Sequence, residues 1–116
     1  MLNEQQTLIT DTARRFVREQ IVEPRLDRAL DRSAEFPHEI LRALWEQGLV
    51  NLEFPEAVGG QGLSCHDHCL VLEEINYGCL GIGTSAVANS LAALPLILCD
   101  NETARREFLG RLIEAH

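Results

Sequence analysis

The chain has 116 residues, enough for one domain, and 46% of them are hydrophobic with few aromatics, which suits aliphatic packing between helices. Its net charge of −8 argues against a nucleic-acid-binding surface and against attraction to an anionic membrane. Residues 1–4 lack the basic and apolar regions of a secretory leader or transit peptide, so we expect a cytoplasmic protein with reduced cysteines.

The first half of the chain predicts three helices. An amphipathic pattern predicts the first over about residues 3–20, and Pro24 is placed to open a short second helix to about residue 30. A third is predicted over about 37–47, with Gly48 as its left-handed stop. Three- and four-residue spacing predicts that the apolar faces of the first and third helices consist of Leu8, Ile9, Thr12, Ala13, Phe16, Val17, Ile21, Ile40, Leu41, Leu44 and Trp45.

Residues 51–64 predict a loop, because prolines and glycines punctuate them. The glycines at 59, 60 and 62 do not have the spacing of a nucleotide-binding fingerprint, and no strand precedes them. They favour a turn whose backbone approaches a neighbour closely. Ser64 or Asp67 can cap a fourth helix, which Gly78 ends.

No charged residue occurs between Ile75 and Cys99. Such a run can span a membrane, but its glycines, polar residues and Pro95 favour a helix at the centre of a bundle, kinked by the proline. A final helix is capped by Asp100 or Asn101. We therefore predict an all-α fold: an up-and-down-like bundle of about five to six helices, with a central buried apolar helix at about 79–99.

The segment Cys65-His66-Asp67-His68-Cys69, called the 65–69 segment below, has the residue types of a metal site. On one helix, however, its cysteines share a face while its histidines lie about 200° apart, so one zinc cannot collect all four. His38 and His116 add no ligand spacing, and a solvated helix start is favoured over a metal site. The acid pair at 73 and 74 and the serines at 64, 85 and 90 lack the arrangement of catalytic groups.

The predicted central helix carries small residues that allow two interpretations. Helical steps place Gly83, Val87, Ser90, Leu91 and Leu94 on one face. The small side chains could leave room for an apolar ligand, or they could admit a closely packed neighbouring helix. Spacing alone favours the packing interpretation.

Several segments carry, by their order and spacing, a resemblance to a known family. They are Glu4-Gln5-Gln6, Ala13-Arg14-Arg15-Phe16-Val17, Phe54-Pro55-Glu56, Gly59-Gly60, Gly62, Glu73-Glu74-Ile75-Asn76-Tyr77-Gly78-Cys79, Gly81-Ile82-Gly83-Thr84, Asn89-Ser90-Leu91, Pro95-Leu96 and Leu109-Gly110-Arg111-Leu112. Together they resemble the first helix, inter-helix loop, helix join, central helix and closing helix of the N-terminal domain of acyl-CoA dehydrogenases. The match covers almost the whole chain, so residues 1–116 are interpreted as that domain, without the family's β-domain and C-terminal helical domain.

The resemblance implies a parent flavoprotein that dehydrogenates an acyl-CoA thioester between its α and β carbons. In such a protein a glutamate takes the α-proton, FAD accepts a hydride, and an electron-transfer flavoprotein receives the electrons. The base and most flavin contacts come from the other domains, so no catalytic residue and no metal are implied here. The resemblance places Gly83, Thr84, Val87 and Leu91 against the acyl chain, and we expect a homo-oligomer. A stand-alone helical interaction module and the same domain of a flavin oxidase or monooxygenase are the alternatives.

Overall fold

The computed structural model describes residues 1–114, which form helices and connecting loops without a strand. The predicted all-α class is confirmed. The helices are α1 Glu4–Val17, α2 Leu26–Ser33, α3 His38–Glu46, α4 Cys65–Gly78, α5 Leu80–Leu98, and α6, which consists of Glu102–Ala104, the π-helical Arg105–Leu109 and Gly110–Glu114. A π-helical turn, Arg18–Val22, extends α1, and Glu56–Val58 form a short 3-10 turn.

The predicted helix boundaries hold where local chemistry sets them. Gly48 ends α3 at a φ of 68°, and its N–H donates to the Trp45 carbonyl at 2.9 Å. The Asn101 side chain accepts a hydrogen bond from the Ala104 N–H at the start of α6. The prediction for Pro24 is wrong: α2 begins at Leu26, because Arg25 takes a left-handed φ of 56° that interrupts the helix after the proline.

The glycine-rich loop folds back onto its own backbone, as predicted. The Gly62 N–H donates to the Phe54 carbonyl at 2.8 Å. A Cβ built at Gly60 would lie 2.0 Å from the same carbonyl oxygen, so only glycine fits there. The turn holds the fully buried Phe54 in a small cluster with Ala93 of α5 and Leu109 of α6.

Helices α1 and α4 lie side by side and run in the same direction. Near their starts, the Gln6 Nε2 donates to Asp67 Oδ1 at 2.8 Å. Two turns further on, the Arg14 Nη2 donates to Glu74 Oε1 at 2.7 Å. The parallel arrangement is possible because α2, α3 and the glycine-rich loop connect the two helices. Glu74, one of the two adjacent acids in α4, therefore has a structural role in joining the two helices.

The starts of these two helices are joined through their caps. Each helix begins with a capping box, formed by Asn3 and Gln6 in α1 and by Ser64 and Asp67 in α4. The side chain of the first residue accepts a hydrogen bond from the backbone N–H of the second. The side chain of the second accepts one from the backbone N–H of the first. The Gln6 amide completes one cap and donates to the carboxylate of the other. The pKa of Asp67 is lowered by its hydrogen bonds, first from the Ser64 hydroxyl, then from Gln6 and the Ser64 backbone.

The far ends of α1 and α4 meet at a glycine. A Cβ built at Gly78 would lie 2.5 Å from Val17 Cγ1 and 3.3 Å from Ile21 Cγ2, and both side chains are buried. Gly78 therefore both ends α4 and permits its close approach to Val17 and Ile21. This contact closes one side of the main core. That core contains several fully buried large side chains, among them Ile21, Leu44, Leu49, Leu52, Val71, Ile75 and Ile82.

Helix α5 connects the two hydrophobic clusters. Ile82 and Ala86 belong to the main core, and Ala93 belongs to the cluster around Phe54. The helix continues through Pro95, and the Arg105 guanidinium donates to the Leu96 and Cys99 carbonyls at its C-terminal end. Within residues 1–114, α5 alone has the length and apolarity to cross a membrane, a test that core helices of globular domains also pass.

Replacing Gly78 with alanine should lower the free energy of unfolding by about 1–3 kcal/mol, because the added methyl group overlaps Val17. Gly81→Ala is the matched control, since its Cβ would meet only Cys79 Sγ, at 3.9 Å. It should raise the free energy of unfolding by about 0.5 kcal/mol through helix propensity. Urea denaturation measures both; equal destabilisation by the two variants would contradict the assigned contact.

The stability of the domain should fall as the pH drops into and below the ordinary range of an aspartate. Because the pKa of Asp67 is lower in the folded state, its contribution is present above the unfolded pKa and disappears as the pH falls through the folded pKa. Urea midpoints between about pH 6 and pH 2 should show a smaller acid loss in Asp67→Asn than in wild type. Glu73→Gln, which removes an exposed acid from the same helix, should retain the wild-type slope.

Candidate functional site

One face of α5 is a continuous apolar surface that the described chain leaves uncovered. Leu80, Leu91 and Leu98 are 70%, 68% and 75% exposed, and Leu94 is 48% exposed. Steps of three and four residues align these positions on a helix. We call this surface the apolar stripe; its residues are Leu80, Thr84, Val87, Leu91, Leu94 and Leu98.

The opposite face of α5 is buried against the rest of the domain. Ile82, Ala86, Ser90 and Ala93 all lie on it, each no more than 7% exposed. The sequence predicted a central helix that is buried all round. In the structure α5 is apolar on both faces, but within residues 1–114 only one face is covered. The predicted small-residue face is also divided, because Ser90 lies on the buried side while Leu91 and Leu94 lie on the exposed one.

Three of the four predicted acyl-contacting residues lie together on the stripe. Thr84 and Leu91 are exposed and Val87 is half-buried. Gly83 lies at the edge of the stripe, buried against α4, where a Cβ would come within 2.0 Å of Asn76 Oδ1. The packing interpretation therefore holds at Gly83. Contact of the four residues with an acyl chain stays a prediction.

Asn76 lies next to the stripe, a position that the sequence analysis did not assign to it. Its carboxamide occupies the space that a side chain at position 83 would need, and its Oδ1 is buried without a hydrogen-bond partner. Position 83 can therefore not enlarge without displacing Asn76. The signal in the sequence was the glycine itself, but the sequence does not say which neighbour approaches it.

The chemistry available on the stripe is limited to apolar contact. None of its six side chains is titratable, so it offers no acid or base, and the Thr84 hydroxyl is its single hydrogen-bonding side-chain group. It is a helix surface and not an enclosed cavity, because its leucines are largely exposed. It can therefore form one wall of an apolar site that a second surface would complete.

The structure separates the residues of the 65–69 segment. The segment is the first turn of α4, with Cys65, His66 and Cys69 exposed, as predicted for a solvated helix start. The mostly buried His68 places its Nδ1 3.2 Å from Glu53 Oε2. Among residues 1–114, no three His, Cys, Asp or Glu side chains are grouped to hold a metal ion, and His116 lies outside the described residues.

Comparison with known proteins gives a consistent set of relatives. Residues 3–116 match the family described as the acyl-CoA dehydrogenase N-terminal domain. Over 111 residues the chain is 37% identical to a probable mitochondrial medium-chain specific acyl-CoA dehydrogenase 2 of Caenorhabditis briggsae, covering 96% of this chain and 27% of that protein. It is 36% identical over 105 residues to (2S)-methylsuccinyl-CoA dehydrogenase of Cereibacter sphaeroides, covering 90% and 19% respectively.

A third relative is named for a different activity. The chain is 34% identical over 112 residues to 3-(aryl)acrylate reductase of Clostridium sporogenes, which covers 95% of this chain and 29% of that protein. The chain thus spans between 19% and 29% of the length of these three relatives.

The exposed stripe should make the isolated chain bind hydrophobic dyes and self-associate, since apolar patches of this kind seek contacts. The double variant Leu91→Gln, Leu98→Gln should reduce both the fluorescence of bound anilinonaphthalene sulfonate and the sedimentation-average mass. Leu8→Gln is the control, because Leu8 is also 70% exposed but lies on α1, outside the stripe. A monomeric, non-binding wild-type chain at high concentration would refute the expectation.

Proposed function

This chain belongs to the acyl-CoA dehydrogenase family, and we propose that its apolar stripe forms one wall of the pocket that holds the acyl chain of a CoA thioester. The observation that carries the proposal is the alignment of Thr84, Val87 and Leu91 on a helix face that is apolar and uncovered. Two relatives are named as dehydrogenases of CoA thioesters, which agrees with the proposed substrate class.

The proposed wall acts by excluding water and by contacting the acyl chain. Burying each methylene group against apolar side chains stabilises a complex by about 0.8 kcal/mol, so the extent of the stripe influences which chain lengths bind well. The absence of charge between Ile75 and Cys99 supports this role, because a charged group facing the chain would have to lose its hydration. Leu91 and Val87 would contact successive parts of the chain along α5.

The reaction we propose for the complete protein is α,β-dehydrogenation of the thioester, with FAD as the hydride acceptor and an electron-transfer flavoprotein as the electron acceptor. FAD would supply the redox chemistry, and a glutamate base would take the α-proton. The stripe does not fit a flavin ring: Thr84 is its one hydrogen-bonding side chain, and the ring needs several polar partners. We therefore assign the flavin contacts and the base to segments outside this chain.

A second candidate is a helical interaction module whose stripe binds another protein surface. The exposure of Leu91 and Leu98 favours it as much as it favours a pocket wall. A charge introduced on the stripe distinguishes the two candidates. It would change acyl-chain selectivity if the stripe is a pocket wall, and only partner binding if the chain is an interaction module. Because one relative is named a reductase, an oxidase, monooxygenase or reductase using the same domain is a variant of the first candidate.

In the flavoprotein that contains this domain, Val87→Glu should shift the preferred substrate to shorter acyl chains. A carboxylate facing the pocket without a partner must be desolvated by a long chain but not by a short one. We expect kcat/KM for the longest accepted acyl-CoA to fall by at least about 10-fold, with a smaller change for short substrates.

Val87→Ile is the control, because it keeps the wall apolar at nearly the same volume and should retain most activity on long chains. The measurement is kcat/KM across a series of saturated acyl-CoA esters. An unchanged chain-length profile in Val87→Glu would refute the assignment of the stripe to the acyl pocket.

A further inference from the structure

The two cysteines of the 65–69 segment lie one turn apart on the exposed surface of α4. Cys65 is the first residue of the helix and Cys69 lies one turn later, and both are exposed, free thiols. Residues four apart on a helix have Cβ atoms about 5–6 Å apart on one face. The pKa of the Cys69 thiol is raised, first by burial and then by the nearby Cys65 thiol.

The other residues of the segment are engaged elsewhere. His66 Nδ1 lies 3.3 Å from Gln6 Nε2, and His68 Nδ1 lies 3.2 Å from Glu53 Oε2. Asp67 is used by the helix cap. Only the two cysteine sulfurs of the segment therefore remain available to bind a metal ion. Two ligands are too few for the closed four-coordinate site that structural zinc requires.

A disulfide does not fit this pair either. Disulfide geometry needs Cβ atoms about 3.5–4.5 Å apart, less than the spacing of one helical turn. Cys65 and Cys69 would have to unwind the first turn of α4 and its Ser64 cap to reach that distance. An atom placed between the two sulfurs, by contrast, can bond to both without changing the helix.

We propose that Cys65 and Cys69 together bind one soft, thiophilic cation of low coordination number, for which Cu(I) is the representative ion. Soft thiolate ligands select Cu(I), and two thiolates satisfy it. On binding, each thiol loses its proton to solvent and each sulfur forms one bond to the metal, so one Cu(I) is bound and two protons are released. The site is independent of the acyl pocket, because it lies at the start of α4 and not on the apolar stripe.

The test is an anaerobic titration of the 116-residue chain with Cu(I) in competition with bathocuproine disulfonate. Wild type should hold one tightly bound equivalent. Cys65→Ser and Cys69→Ser should each weaken binding by about 100-fold, because one thiolate loses the advantage of a chelate. Cys79→Ser and Cys99→Ser should bind as wild type does, since these half-buried cysteines lie outside the pair.

A variant with an unchanged number of thiols separates a built pair from binding to any cysteine. In Cys69→Ala, Glu73→Cys, the second thiol lies on the same side of α4 but about 12 Å from Cys65 along the axis, too far to share an ion. It should bind Cu(I) as weakly as the single serine variants, with its helix content by circular dichroism unchanged. Tight binding by this variant, or equal weakening by Cys79→Ser or Cys99→Ser, would overturn the proposal.

Discussion

The fold depends on the packing of one face of α5 against two hydrophobic clusters. Its first half, through Ile82 and Ala86, closes the core built by α1, α3 and α4. Its second half, through Ala93, holds Phe54 and α6. A helix in this position needs an apolar inner face, which any core helix has. What distinguishes α5 is that its outer face is also apolar, so it exposes leucines where a domain covered only by solvent would carry charges.

Because α5 has two apolar faces, the sequence pattern predicted the helix but not which of its faces is buried in the domain. Uncharged residues from Ile75 to Cys99 predict a helix that avoids water, but periodicity cannot say which face belongs to the domain and which to another surface. The four exposed leucines at 80, 91, 94 and 98 face outward, while the inner face combines Ile82 with small residues at 83, 86, 90 and 93. Small residues allow the inner face to pack closely, but size alone does not identify that face, because Ala88 and Ala92 of the same helix are exposed.

Features fixed by neighbouring residues were predictable, and those fixed by distant ones were not. The caps at Ser64 and Asn101 and the stop at Gly48 follow from side chains within one turn. The left-handed Arg25 breaks a helix that proline alone would have permitted. The parallel pairing of α1 with α4, and the approach of Asn76 to Gly83, join positions that are far apart in the chain or on different helices, which a single sequence does not specify.

Residues with reactive side chains also depend on contacts with distant parts of the chain. The 65–69 segment has the composition of a metal site, yet its histidines are directed to Gln6 and Glu53 by tertiary contacts. Its aspartate is used to begin a helix, where a carboxylate near the positive end of the dipole is favoured. Only the sulfur pair keeps the geometry that spacing on a helix predicts. The position of each group relative to the packed helices, more than the composition of the motif, thus decides which chemistry remains open to it. Helix α4 presents thiols to solvent at its start, while Asn76 near its end packs against Gly83 at the edge of the apolar stripe on α5.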